Sequence, residues 1–427
     1  MAVGCERINK YSKYMTKLKI FVSAYACEPG LGSEIGVGWH WVLEMSKYFE
    51  LWVLTRESNR HTIEPWIAEH PEYAGIHFLY YDWPKWARSW KKGLRGVRTY
   101  YNIWQACTNG IVKRTMQEHG IWVFHHLTYG NMLWKVSSYG QKQFFIWGPV
   151  GGLETIPEEF TACYDRKWKL IEEVRRRVIS LLPLNRGFQQ RCKNADLILC
   201  KTDVSRKLIA EKFRNKAVLQ TDVAVDQLDI HKAAVPSGST EELQLVTVGR
   251  LDAWRGFDLC IEAVAQVVHK FPKVHLTIVG SGSDKERLME LAASLDLQEH
   301  ITFTGKVSSE VYRQLIAQSD VVLNASLKEG AVTVSFDSMA MRKPLICLDT
   351  TGYTRYFQED YAVLIPIEHR KQVIDDLAEG IIKLADPDLR HEMGEKAFLA
   401  GRQFSWSQRG EEIFRLFSEK IKQDVVR

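Results

Sequence analysis

The run Asp320-Val321-Val322-Leu323-Asn324, then Ser326-Leu327-Lys328-Glu329-Gly330-Ala331-Val332-Thr333-Val334-Ser335-Phe336-Asp337-Ser338-Met339-Ala340-Met341-Arg342-Lys343, then Pro344-Leu345-Ile346-Cys347, decides the fold. It reads as a buried strand, a loop, a short helix and the entry to the next strand, because two short apolar runs flank a segment that turns at glycine and stops at proline. Such a strand-loop-helix-strand unit belongs to an open α/β sheet, whose ligands sit beyond the C-terminal strand ends. Glu329 and Asp337 fall at the two ends of the loop and helix. Taken alone, two acids describe solvated surface carboxylates equally well, since acidic residues are mostly exposed.

The same rhythm runs outward in both directions. Towards the N-terminus lie the strand Leu243 to Gly249, a helix Phe257 to His269, the strand Val274 to Gly280, a helix Lys285 to Leu295, the strand Ile301 to Gly305 and a helix Ser309 to Ala317. The first half repeats it with strands at Lys19 to Tyr25, Leu51 to Arg56, Trp122 to His126, Phe144 to Trp147 and Ala195 to Thr202. Strands that end in glycine or charged loops, alternating with amphipathic helices, predict two α/β domains with doubly wound parallel sheets facing each other across a cleft. The polar piece with Pro236-Ser237-Gly238-Ser239-Thr240 predicts a linker. The expected organisation is a disordered tail at 1–17, a first domain at 18–225, the linker at 226–242, a second domain at 243–403 and a C-terminal helix at 404–427.

The chain has 427 residues, enough for two domains with their own cores. Its eight cysteines include no Cys-x-x-Cys pair and no metal-ligand spacing, which predicts reduced thiols in a cytoplasm. Leu18 to Ala26 is too short to span a bilayer and reads as a strand, not as an export signal. Asp386-Pro387-Asp388 reads as a helix N-cap turn, so no metal and no other cofactor is expected.

Several polar candidates fall at strand ends. Gly30, Gly32 and Ser33 open the first helix, where a glycine-rich turn lets backbone N–H groups approach a ligand. This turn is not a dinucleotide fingerprint, because the next strand ends in Arg56-Glu57 without an isolated acid for a ribose. A second glycine-rich loop holds Gly151 and Gly152, and two such loops suggest one cleft wall. His125 and His126 end a strand, so only one of them faces a given cleft.

The spacing from Glu329 to Asp337, with the tail Asp337-Ser338-Met339-Ala340-Met341-Arg342-Lys343-Pro344, resembles the signature of retaining nucleotide-sugar glycosyltransferases of the family 4 type. Gly249-Arg250-Leu251-Asp252-Ala253-Trp254-Arg255-Gly256 resembles the family's glycine-arginine and lysine-glycine element, and Ala24 through Trp39 resembles the acceptor-side loop of its bacterial members. The resemblance implies a GT-B fold and transfer of a sugar from a nucleoside diphosphate sugar to a glycan or lipid-linked acceptor with retention, in cell-surface polysaccharide biosynthesis. It implies that Arg250 and Arg255 hold the diphosphate, where the alternative is a surface salt bridge, for instance to Asp252 or Asp258, and that Glu329 holds the sugar hydroxyls and Asp337 the ribose, with His126 near the donor sugar and His125 in reserve. Gly249, Gly280, Gly282, Gly330, Ala331 and Val332 would let backbone approach the donor, and Lys306 and Val307 would line the base pocket. Three positions depart from the pattern: Asp337 stands for Glu, Arg255 for Lys and Arg342 for Gly. A degenerate, non-catalytic nucleotide-sugar-binding protein therefore stays as the alternative.

Pro84 to Gln117 contains no carboxylate. At 100° per residue Trp86, Trp90, Leu94, Val97, Tyr101 and Trp104 gather on one helical face, opposite Lys85, Arg88, Lys91, Lys92, Arg95 and Arg98. That pattern suits a helix lying on an anionic membrane and equally a core-covering helix with a basic solvated face. Arg166 to Arg177 forms a second basic amphipathic stretch. The expected location is the cytoplasm, peripheral to the inner face of the cell membrane, and no nucleic-acid partner is expected.

Overall fold

Strands with apolar side chains on both faces build two parallel sheets in this chain. A computed structural model describes residues 17–90, 96–137, 143–162, 164–225, 242–328, 332–350 and 352–425. The first sheet is formed by β1 (Lys19–Ser23), β2 (Glu50–Arg56), β3 (His77–Tyr81), β4 (Val123–His126), β5 (Phe144–Val150), β6 (Leu197–Cys200) and β7 (Ala217–Leu219), in the order β3-β2-β1-β4-β5-β6-β7. The second holds β8 (Leu243–Val248), β9 (Val274–Val279), β10 (Ile301–Gly305), β11 (Val321–Asn324), β12 (Leu345–Leu348) and β13 (Ala362–Ile365), in the order β10-β9-β8-β11-β12-β13. The pairings are parallel throughout. The strand order reverses between β1 and β4 and between β8 and β11, which are the switch points where such sheets open a crevice.

Alternation puts successive residues into different cores. Ile20 and Val22 pack on one side of β1 and Phe21 on the other, and in β8 Leu245 and Val246 divide in the same way. Burying one such side chain stabilises by about 1.5–3 kcal/mol, so a strand covered on both faces is held firmly.

The C-terminal helix Trp406–Val425 lies against the helix Ser33–Ser46 of the first domain. Trp406 stacks on His40 with ring centroids 4.8 Å apart, and Phe414 stacks on Tyr48 at 4.8 Å. Where this helix begins, Val225 N–H donates to Phe404 O at 2.9 Å and Trp406 N–H to Val225 O at 3.2 Å. The chain entering the linker and the chain returning from the second domain are thus paired side by side. Residues 226–241 lie outside the described residues.

The helix expected from Trp86 to Trp104 is not one element. Lys85–Arg88 is a single 3-10 turn, and the helix proper is Val97–Cys107. Gly96, at φ +80°, occupies the left-handed region that an α-helix cannot contain. Tyr101 and Trp104 are core residues, and Trp104 Nε1 donates to Tyr81 O at 2.7 Å, which satisfies its one polar atom. Trp86 and Trp90 are exposed instead, while Leu94, Lys91, Lys92 and Arg95 lie outside the described residues. The aromatic stripe therefore divides into a buried half and an exposed half.

Candidate functional site

The second domain builds a cationic corner at its switch point. β8 ends at Val248, and Gly249 N–H donates to Val279 O at 3.0 Å while Leu251 N–H donates to Ser281 O at 3.1 Å. The two strand ends lie so close that a Cβ on Gly280 would stand 1.8 Å from Gly249 O, and one on Gly282 would stand 2.2 Å from Leu251 O. Gly280 also sits at φ +138°. Side chains are excluded from this part of the crevice, so backbone lines it.

Arg250 and Arg255 rise from that backbone. The Arg250 side chain is 48% exposed, and its Nε donates to Asp252 Oδ2 at 2.6 Å. This is one of the pairings that a non-functional surface arginine would make, and it also orients the guanidinium. The Arg255 guanidinium lies 4.5 Å from the centroid of the Trp254 ring, and a Cβ on Gly249 would be 3.7 Å from it. Gly256 follows at φ +68°, where a Cβ would meet Ala325 O at 2.0 Å, and it starts the helix Phe257–Val268. The glycine thus seats the Arg255 turn against the end of β11.

Glu329, Gly330 and Ala331 lie outside the described residues. Val332 is buried and precedes the helix Thr333–Ala340, which carries Asp337. Asp337 is buried, and Tyr312 OH donates to its Oδ2 at 2.5 Å. Arg342, at the position where the resemblance has glycine, adopts φ +55°. An ion pair with Glu395 at 2.7 Å and a stack on Phe398 at 3.7 Å offset the cost of that backbone. Gly305 ends β10 at φ +71°; beyond it Lys306 is exposed and Val307 half-buried against the core.

The first domain carries the remaining candidates. Gly32 caps the helix Ser33–Ser46 without a side-chain bond, and Gly30 sits at φ +73° with open space around it. In the first turn of this helix, Glu34 Oε1 accepts Gly130 N–H at 3.3 Å, and burial pushes its carboxyl above the usual value. Gly151 runs over Lys201, whose ammonium pairs with Asp222, and a Cβ on Gly151 would be 3.3 Å from Lys201 Cβ. Gly152, at φ +81°, has no room for a Cβ beside Asn131 Nδ2.

The two histidines divide as strand geometry requires. His125 faces the helical layer, where Phe417 meets it edge-on at 5.4 Å, and its Nε2 lies 2.7 Å from Gly148 O. His126 faces the aromatic side, with Nε2 3.0 Å from Tyr101 OH. It is 2% exposed, so its imidazole meets Tyr101 and not open cleft. Burial lowers the pKa of His125 to about 4 and that of His126 to about 3, so both rings are neutral near pH 7.

Sequence reasoning missed Tyr312, Trp254, Lys328, Glu172 and Arg175. Lys328 pairs with Glu172 across 156 residues of sequence. No local pattern announces such a partner, whereas Trp254 lay within a quoted motif and carried a readable signal as an aromatic beside a cation.

Comparison with known proteins now bears on this geometry. Residues 231–399 match the sequence model of the family described as glycosyl transferases group 1. The chain is similar to an alpha-D-kanosaminyltransferase of Streptomyces kanamyceticus, 26% identical over 238 residues that cover 53% of this chain and 61% of that protein. It thus spans about three-fifths of that relative's length. Among solved structures it resembles a sucrose-phosphate synthase from Thermosynechococcus elongatus, with a TM-score of 0.63 and 14% identity over 95% of this chain and 100% of that one. It also resembles Anabaena Alr3699/HepE in complex with UDP, with a TM-score of 0.57 and 14% identity over 94% of this chain and 100% of that one. With its two parallel-sheet domains the chain has the GT-B fold.

Proposed function

We propose that the protein is a retaining glycosyltransferase of the family 4 type, using a nucleoside diphosphate sugar as donor and a glycan or lipid-linked acceptor. The observation that carries this reading is the cationic corner: Arg250 and Arg255 follow β8, whose end meets the glycine-lined end of β9 on one side while Gly256 seats the Arg255 turn against the end of β11, across the switch point, on the other. The match of residues 231–399 to the group 1 family supports it, as does the UDP held by a protein of the same fold.

In the proposed reaction the bond from the sugar's anomeric carbon to the diphosphate oxygen breaks, and its electron pair leaves with the diphosphate. An acceptor hydroxyl forms the new bond on the same face, and its proton passes to the departing diphosphate. Arg250 and Arg255 stabilise the charge that builds on the leaving group, Arg255 through a planar fork where the pattern has lysine. Asp337 receives the ribose hydroxyls, directly or through water, at the carboxylate that Tyr312 now engages. Glu329 contacts the sugar hydroxyls, and His126 stands beneath the site as a neutral hydrogen-bonding group. The glycine loops at Gly30, Gly32 and Ser33 and at Gly151 and Gly152 line the acceptor side. No metal enters the scheme.

Placement at the inner face of a cell membrane, in cell-surface polysaccharide synthesis, is part of the same reading. Exposed Trp86 and Trp90 support it, together with the helix Arg166–Ser180, on which Leu170, Val174 and Val178 are exposed beside Lys167, Lys169 and Arg177.

The test is sugar transfer from a panel of labelled nucleoside diphosphate sugars. Arg250→Ala is expected to lower turnover by about 100- to 1,000-fold while the protein stays folded. Turnover near wild type in a folded Arg250→Ala protein would sink the assignment. Nucleotide binding without turnover of any donor would favour the non-catalytic alternative.

A further inference from the structure

We infer that Glu172, in the first domain, is a positioning residue for the diphosphate corner of the second, acting through Lys328; the inference builds on the diphosphate reading of Arg250 and Arg255. The helix Arg166–Ser180 starts at the cap Asp165, whose Oδ1 accepts Trp168 N–H at 2.8 Å, and it presents Glu172 and Arg175 one turn apart on one face. Arg175 Nη2 donates to Gly152 O at 2.7 Å and to Glu154 O at 2.8 Å. The Glu172 carboxylate pairs with the Lys328 ammonium, their side chains 5% and 10% exposed. Lys328 Nζ also lies 5.2 Å from the centroid of the Trp254 ring, the ring that carries Arg255 at 4.5 Å. Leu327 N–H donates to Trp254 O at 3.1 Å, so the end of β11 and the Trp254 turn are tied through backbone as well.

These contacts form one continuous chain from the Gly152 loop through Arg175, Glu172, Lys328 and Trp254 to Arg255. The helix is fastened at its other end too. Ile156, Phe160 and Tyr164, just before it in sequence, pack into the core of the second domain, and Glu159 Oε1 accepts Arg370 N–H at 3.0 Å. A segment of the first domain therefore crosses to the second and pins it beside the donor corner. Burial pushes the Lys328 ammonium below its usual value, and the Glu172 carboxylate opposes that shift.

An ion pair this buried is a poor source of net stability, because desolvating both charges cancels most of their attraction. Its distinctive effect is on placement. Two opposite charges fix where the Trp254 ring stands, and with it the Arg255 guanidinium, relative to Gly249 and to the acceptor-side loop. A stabilising role alone would leave nucleotide affinity untouched in any variant that folds.

The test compares wild type with the neutral pair Glu172→Gln/Lys328→Met and the exchanged pair Glu172→Lys/Lys328→Glu. Removing both charges together leaves neither Glu172 nor Lys328 as a lone buried ion, and Arg175 keeps its bonds to Gly152 O and Glu154 O, so the neutral pair is expected to fold even where Glu172→Gln alone does not. Two readouts apply: calorimetric affinity for UDP, GDP and ADP, and amide hydrogen exchange of residues 252–257. The neutral pair is expected to bind the preferred nucleotide about tenfold more weakly and to exchange faster at 252–257, with the exchanged pair recovering part of both. Wild-type affinity and wild-type exchange in a folded neutral pair would overturn the inference. If wild type binds none of the three nucleotides, the diphosphate reading fails, and the exchange comparison alone then decides whether Glu172 positions this corner.

Discussion

Arg250 and Asp337 show how much a single residue can and cannot announce. Arg250 was legible as a cation at a strand end, with Asp252 two residues on as a ready partner, whereas Asp337, inside its helix, gave no sign of its partner Tyr312. The Tyr312 contact joins two helices through the fold, and spacing along one helix carries no trace of it. Glycine is different, because its reason is local. Gly280→Ala would place a methyl group 1.8 Å from Gly249 O at φ +138°, so urea denaturation is expected to show a loss of more than about 3 kcal/mol. A change within about 0.5 kcal/mol, ordinary for a surface position, would contradict the closeness of β8 and β9. Arg342 is the reverse case: the resemblance flagged a missing glycine, and the left-handed backbone found there gives the physical reason for glycine at that position. The histidines give a pH prediction. Both have folded pKa values depressed by burial, about 4 for His125 and about 3 for His126, against a free value of 6.5. The unfolded chain therefore takes up protons first on acidification, and the stability these residues contribute is present above about pH 6.5 and lost as pH falls through 4 and 3. His126→Gln is expected to flatten the dependence of unfolding free energy on pH between 6 and 4 by up to about 1.4 kcal/mol per pH unit. An unchanged slope would mean that His126 is not buried as neutral imidazole.

Among the elements, the strands were the most legible, since runs such as Val321 to Leu323 and Leu345–Leu348 are apolar throughout and are covered on both faces. The stretch Trp86 to Trp104 was misread because a helical periodicity can continue by chance through a glycine turn, and periodicity does not register that Gly96 is left-handed. The correction narrows the surface proposed to meet a membrane. It now consists of exposed Trp86 and Trp90 and the helix Arg166–Ser180, in which Leu170, Val174 and Val178 recur every four residues. Among the described residues no helix is long and apolar enough to cross a membrane. Flotation with vesicles containing anionic lipid is expected to recover wild type at low salt, and the Trp86→Ser/Trp90→Ser variant much less. Equal recovery with anionic and neutral vesicles would contradict the membrane reading.

At the scale of the whole molecule, the alternation of strand and helix made two parallel sheets legible, because parallel strands need a crossover connection, most often a helix. The way the halves meet was less so. The return of the helix Trp406–Val425 was suggested by the resemblance, and nothing in its sequence names His40, Tyr48 or His125 as its contacts. The crossing of residues 156–172 onto the second domain left no signal, since a short apolar segment looks the same whichever core receives it. What unites the two domains functionally, in the reading advanced here, is a nucleoside diphosphate held at Arg250 and Arg255. Calorimetric titration of the purified chain with UDP, GDP and ADP measures that directly. Saturable one-to-one binding of at least one of them, lost in a folded Arg250→Ala variant, is the expected result; absence of saturable binding to all three, or binding that Arg250→Ala leaves unchanged, would contradict it.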